Sequence, residues 1–216
     1  MDILLDLTMI VSAALVLLYL KHNDISFKND NPFRKPDFKL LDIIVILRIC
    51  WSMFAQQFAF ATLPDSPSEE TTMDILSALS AIILSPITEE ITFRYGIINI
   101  GKKYQKNALA IILSVVLFVI VHFPNLPTAV NMTGSAFLYA FMYYKTGNII
   151  YSVTVHSANN FFSVLTYYIP QMEKMCYASK VDELLNPYFI TSFLVFIPCL
   201  VFLFKYDFDN VDKMLE

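Results

Sequence analysis

An all-α bundle embedded in a membrane is the fold this sequence predicts, and three observations predict it. Of 216 residues, 56% are hydrophobic and only 16% charged, with a mean hydropathy of +0.56, whereas a soluble domain carries about 25% charged residues. The apolar residues gather into runs close to the ~20 residues a membrane helix needs. Ten prolines and only four glycines, set among runs this long, fit poorly with the short alternating strands of a membrane β-barrel.

Seven spans follow, at roughly 3–20, 41–62, 74–100, 107–123, 130–145, 149–168 and 188–205. The first begins with Asp2 and Asp6 in place of basic residues, and Leu18-Tyr19-Leu20 offers no small-residue cleavage site, so it reads as a retained helix and not a secretory signal. The polar loop after it holds His22, which reads as surface. The third span follows the acidic loop Pro64-Asp65-Ser66-Pro67-Ser68-Glu69-Glu70, whose glutamate pair reads as solvated. Inside that span Ser85-Pro86 has the form of a helix start, serine as cap and proline at the first position, so a break and restart is expected there. The fourth span ends at a turn in which Asn125 lies between Pro124 and Pro127. The fifth and sixth are separated by a short turn at Lys145, and the seventh follows a charge-mixed segment, 169–187, expected to be an external loop. Residues 1–216 thus form a single integral membrane domain, with the chemistry concentrated at about 74–168.

Loop charge sets the orientation. The 21–40 and 101–106 loops, the turn at Lys145 and the tail with Lys205 and Lys213 hold eleven lysines and arginines, against only Lys174 and Lys180 on the other side. By the positive-inside rule the amino terminus is outside and the carboxyl terminus cytoplasmic. Cys50, Cys176 and Cys199 lack CxxC spacing, which speaks against a disulfide framework or a thiolate zinc site. No GxxxxGK loop is present, and no basic stripe with interleaved aromatics suggests nucleic acid.

Three polar patterns interrupt the apolar spans, and ionisable groups at membrane depth mark function by default. In Glu89-Glu90-Ile91-Thr92-Phe93-Arg94, Glu90 and Arg94 are four apart and share a helix face, as an ion pair requires. Glu89 points about 100° away and stays available; a second carboxylate beside a paired one costs several kcal/mol if it does nothing. In Phe118-Val119-Ile120-Val121-His122 the ring can wall the imidazole off from lipid. In His156-Ser157-Ala158-Asn159-Asn160, His156 and Asn160 present two polar heads to one cavity while Asn159 points elsewhere. The plain structural alternatives are a salt bridge for Glu90 with Arg94, an interfacial or core histidine for His122, and interhelical hydrogen bonding for the third pattern.

The ordered patterns EExxxR, FxxxH and HxxxN on successive helices resemble the CAAX protease and bacteriocin-processing family of intramembrane endopeptidases, also called the Abi family. The resemblance covers about half the chain. It implies hydrolysis of a peptide bond in a membrane-associated or lipidated protein or peptide, with Glu89, Glu90, His122, His156 and Asn160 as the catalytic set and Arg94 and Phe118 in support. Glu89 would be the general base on a water that His122 helps to hold, His156 and Asn160 would donate to the oxyanion, and Glu90 with Arg94 would orient the helix. A metal version takes Glu89, His122 and His156 as zinc ligands. The absence of HExxH, and an Asn160 suited to an oxyanion but poorly to zinc, favour the version that needs no cofactor.

The compact length leans toward a bacterial cell membrane, and there toward processing of a peptide or bacteriocin or toward self-immunity. Two other classes compete: a proton-coupled transporter using the same glutamates and histidines as a relay, which lacks inverted repeats and paired broken helices, and a noncatalytic immunity or scaffold protein. One tension stands within the leading reading. At about 1.5 Å per residue, His156 lies about 10 Å from the cytoplasmic end of its helix and His122 over about 20 Å along its own.

Overall fold

The computed structural model describes residues 3–25, 32–63, 73–123, 125–173, 175–178 and 180–208. The acidic loop with Glu69 and Glu70 lies outside them, as do Asp2, Lys28, Pro124, Lys174 and Lys213. The fold is all-helical, with no strand among the described residues: α1 Ile3–His22, α2 Phe38–Thr62, α3 Ile75–Lys103, α4 Asn107–Val121, α5 Leu126–Thr146, α6 Ile149–Tyr168 and α7 Pro187–Lys205. A short helix at Pro170–Glu173 and a single 3₁₀ turn at Val181–Glu183 precede α7.

Side-chain caps explain most of the helix starts. Asp37 accepts from the Lys39 and Leu40 amides, Asp74 from Ser77, Asn125 from Thr128, Asn148 from Ile150 and Asn186 from Phe189, each satisfying amides that a helix start leaves open. Asn125 is therefore a helix cap more than a simple turn residue. Gly147 ends α5 at φ 62°, a left-handed conformation that glycine adopts without a Cβ clash.

Each expected span falls on a long helix, but among the described residues only α3 and α7 are long and apolar enough, by length and composition, to cross a membrane, so the count of seven membrane spans is not confirmed; α1 from Leu7 and α4 are apolar but shorter. The reason lies in the interior. Arg48, Ser52 and Gln57 on α2, Asn131 and Ser135 on α5, and Ser152 and His156 on α6 are all buried, and these polar residues lower the hydropathy of the helices that carry them. Leu15 and Leu18 on α1, Ile112 and Ile120 on α4, and Leu194 and Phe204 on α7 are instead exposed. Polar inside and apolar outside is the arrangement expected where lipid is the solvent.

Apolar clusters hold the helices together, two of them large. Leu40, Ile44 and Leu47 of α2 pack with Tyr139, Met142, Tyr151, Val155 and Leu203, while Leu20, Tyr95, Ile98, Tyr143 and Ile149 form a second group. Phe54 meets Phe189, Phe193 and Phe196 edge-on at 4.9 to 6.3 Å between centroids, fastening α2 to α7. The 169–187 segment is not wholly an external loop. Cys176 and Ala178 are buried, and Gln57 Nε2 donates to the Met175 carbonyl at 2.7 Å, drawing the segment onto α2.

Beneath the bundle, the segment before α2 forms a floor. The Ile149 amide donates to Pro32, Asn148 Nδ2 donates to the Arg34 carbonyl, and the Asp37 amide donates to the Tyr151 hydroxyl. The Tyr206 hydroxyl donates to Asp37 Oδ2 at 2.5 Å, tying the end of α7 to the start of α2. Burial raises the Asp37 carboxyl, but the Tyr206 hydroxyl and the amides of Leu40 and Lys39 outweigh it and hold it below the usual carboxylate range. A carboxyl lowered by folding contributes stability above its unfolded value and loses it as pH falls through the folded one. Thermal melts in detergent are therefore expected to show an acid-sensitive limb below about pH 4, and Tyr206→Phe is expected to flatten it. An identical limb in wild type and variant would remove this anchor from the fold.

Candidate active site

Helix α3 carries the two glutamates and does not break at Pro86, contrary to the helix start expected there. Ser85 has helical dihedrals, and the chain runs on through it. What accommodates the proline is a change of register. Ser80–Leu84 forms a π-turn in which the Ser85 amide bonds back to Ser80. One residue on, the same register would bond residue 86 to the Ala81 carbonyl, but proline has no N–H. Asn160 Nδ2 from α6 takes that carbonyl at 2.8 Å instead. A second π segment, Glu90–Gly96, follows directly, so Glu89 ends a short α turn held between two wide ones. Wide turns of this kind gather at functional sites.

The adjacent carboxylates face different partners. Glu90 is fully buried, with Oε1 3.2 Å from Arg94 Nη1 and 2.8 Å from His156 Nδ1. Arg94 is equally buried, donates through Nη2 to the Ala136 carbonyl and lies 4.3 Å over the Phe118 ring and 5.3 Å over Tyr139, contacts that with the Glu90 ion pair offset part of the cost of holding a guanidinium away from water. Glu89, 5% exposed, turns the other way: Oε1 is 3.4 Å from His122 Nε2 and Oε2 is 3.8 Å from His156 Nε2.

The ring nitrogens have assigned tasks. His122 caps α4, and its Nδ1 is 2.8 Å from the Phe118 carbonyl. A carbonyl only accepts, so Nδ1 carries a proton, and Nε2 is left facing Glu89. His156 donates from Nδ1 to Glu90, because Glu90 is already paired as a carboxylate with Arg94. Stacking fixes both rings: His122 lies on Phe118 at 4.6 Å, and His156 lies on Tyr139 at 4.8 Å and 19°. The depth mismatch between the histidines disappears because α6 starts inside the bundle. Asn148 and Ile149 are buried over the 32–37 floor, so residue 156 already stands level with Glu89.

A cavity of about 320 Å³ collects Glu89, His122, His156 and Asn160, together with Arg48 and Tyr139. Glu90 and Arg94 lie behind His156. Asn159, expected to point elsewhere, lines the same cavity, accepts from Ser52 and donates to Asn160 Oδ1 at 3.3 Å. A smaller cavity of about 210 Å³ reaches Glu89 and His122 from the α1 side, past Thr8, Met9 and Ser12. A larger hollow, about 670 Å³, is an apolar groove between α2, α5 and α7 that touches none of the three motifs. Among the described residues no three His, Cys, Asp or Glu side chains gather as a metal cage would require, and the imidazoles reach opposite oxygens of Glu89. Arg48 and Tyr139 were missed in the sequence. For Arg48 the signal was present: a lone arginine in the apolar run of α2.

Residues 71–162 match the family described as Type II CAAX prenyl endopeptidase Rce1-like. This bears out the resemblance drawn from the motifs, all of which fall inside the matched stretch. The family is one of membrane-embedded proteases. No match was found among curated proteins or among solved structures.

Proposed function

We propose that this chain is an intramembrane endopeptidase that hydrolyses a peptide bond of a membrane-associated or lipidated substrate with a water activated by Glu89. The observation that carries this reading is the buried Glu89 carboxylate facing the Nε2 atoms of two positioned histidines at one cavity. Such a site needs a proton acceptor, a holder for the water and donors for the oxyanion.

A water in the cavity beside Glu89 Oε1 and His122 Nε2 gives a hydrogen to the carboxylate while His122 helps to hold it, and its oxygen lone pair is left free to attack. As the O–C bond forms, the water's proton passes to Glu89 and the carbonyl π electrons move onto oxygen. His156 meets that oxyanion from Nε2. Its Nδ1 bond to Glu90 holds the ring with Nε2 toward the cavity. Asn160 keeps one amide hydrogen for Ala81 and offers the second. Glu89 then passes its proton to the leaving nitrogen as the C–N bond breaks. Aimed donors in a dry site are worth a few kcal/mol each.

The reading includes the seven helices as membrane-embedded elements of a single domain, with the amino terminus outside and the carboxyl terminus cytoplasmic, in a bacterial membrane, and it takes no metal as cofactor. Purified protein in lipid nanodiscs is expected to cleave a quenched lipidated peptide at one bond, to place oxygen from H₂¹⁸O in the new carboxylate, and to keep its rate with a chelator present. Loss of rate on chelation, restored by zinc, would replace the glutamate mechanism with a metal one. Ion-coupled transport in proteoliposomes with no cleavage would replace the peptidase reading altogether.

A further inference from the structure

Two of the three arginines are buried in the bundle, and they differ in what surrounds them. Arg94 has a carboxylate, a carbonyl and aromatic faces. Arg48 on α2 is 2% exposed, and among the described residues its hydrogen bond is from Nε to the Tyr139 hydroxyl at 3.3 Å. Among the described residues its buried Nη1 has no hydrogen-bond partner and no carboxylate pairs with it. A guanidinium stays charged at any pH a protein tolerates, and an isolated one is costly both in a protein interior and in a membrane. Arg48 lines the cavity that holds Glu89, His122 and His156, at the wall which that cavity shares with the apolar groove.

The geometry points to Arg48 as an anion-binding subsite that takes a carboxylate of the substrate close to the scissile bond. This inference rests on the peptidase reading and names a residue that sets its specificity. The guanidinium fork matches a carboxylate with two parallel hydrogen bonds. A cavity of about 320 Å³ is near the lower limit for ligand sites, so it accepts a short piece of chain, and the anion must lie within a few residues of the bond cut. A peptide supplies that group in two ways, as its terminal carboxylate or as an Asp or Glu side chain. Tyr139 joins the subsite to the chemistry, since its hydroxyl accepts from Arg48 while its ring stacks on His156.

Three quenched lipidated peptides test this: one ending in a free carboxylate, the same peptide as a C-terminal amide, and the amide with Glu as its last residue. Wild type is expected to cleave the acid roughly 10-fold to 100-fold more efficiently than the amide, by the usual strength of a hydrogen bond to a charged group. Recovery with the Glu amide would assign the anion to a side chain, and no recovery would assign it to the chain end. Arg48→Gln is expected to raise KM for the acid and to bring the preference for acid over amide toward unity, and Arg48→Lys to restore part of the preference. Equal cleavage of acid and amide by wild type, or an equal loss on both with Arg48→Gln, would overturn the subsite and leave the peptidase reading standing. Cleavage of none of the peptides would count against that reading instead. The subsite would then be judged by binding to Glu89→Gln protein, where acid held no more tightly than amide would sink it.

Discussion

Glu89→Gln is expected to bring peptide hydrolysis to background while leaving the fold intact. The amide has the shape of the carboxylate, so the cavity and the packing of α3 against α6 are kept. What changes is the chemistry: the amide has no useful basicity, and its N–H₂ would donate to a histidine Nε2 where a carboxylate should accept from water. Loss of a positioned general base costs about 10² to 10⁴ in rate, and the misdirected donor adds to it by occupying the water's place. Initial rates on a lipidated peptide, read beside helical circular dichroism and a melting curve, separate the two effects. Cleavage that survives in a folded variant would assign the base elsewhere.

The largest effect on stability is expected from Arg94→Ala. Its guanidinium is wholly buried between Phe118 and Tyr139 and paired with Glu90. Removing one partner of a buried pair typically costs about 3 to 5 kcal/mol, because the other charge remains without compensation. Here the orphan would be Glu90, which also holds His156 Nδ1, so activity should fall with stability. Unfolding by denaturant in detergent measures the first and initial rates the second. Arg94→Met with Glu90→Gln, which removes both charges together, is expected to be less destabilised than the sum of the single changes. A cost below about 0.5 kcal/mol for Arg94→Ala, the range of ordinary surface changes, would show that the pair holds nothing together.

That Glu89, Glu90, Arg94, Phe118, His122, His156 and Asn160 gather in one place was legible in the sequence because helical spacing fixes which of them share a face, and because charge in an apolar run calls for a partner. The helices were legible within a few residues for the same reason. Less legible were features set by contacts between distant segments. Pro86 looked like a helix start because its rescue comes from Asn160 on another helix. The depths of the histidines looked incompatible because nothing local announces that α6 begins above a floor made by residues 32–37. Asn159 was aimed wrongly because its partner, Ser52, belongs to α2, whose contribution to the site was not anticipated.

The bond from Asn160 to the Ala81 carbonyl makes two remote positions into a single inherited choice. A lineage that exchanged Pro86 for an ordinary residue would regain a main-chain donor there and free the asparagine from half of its duty. A lineage that lost the asparagine first would leave a carbonyl stranded beside the proline. Tolerance at either position is therefore a property of the couple, and drift at one is licensed or forbidden by what the other already is.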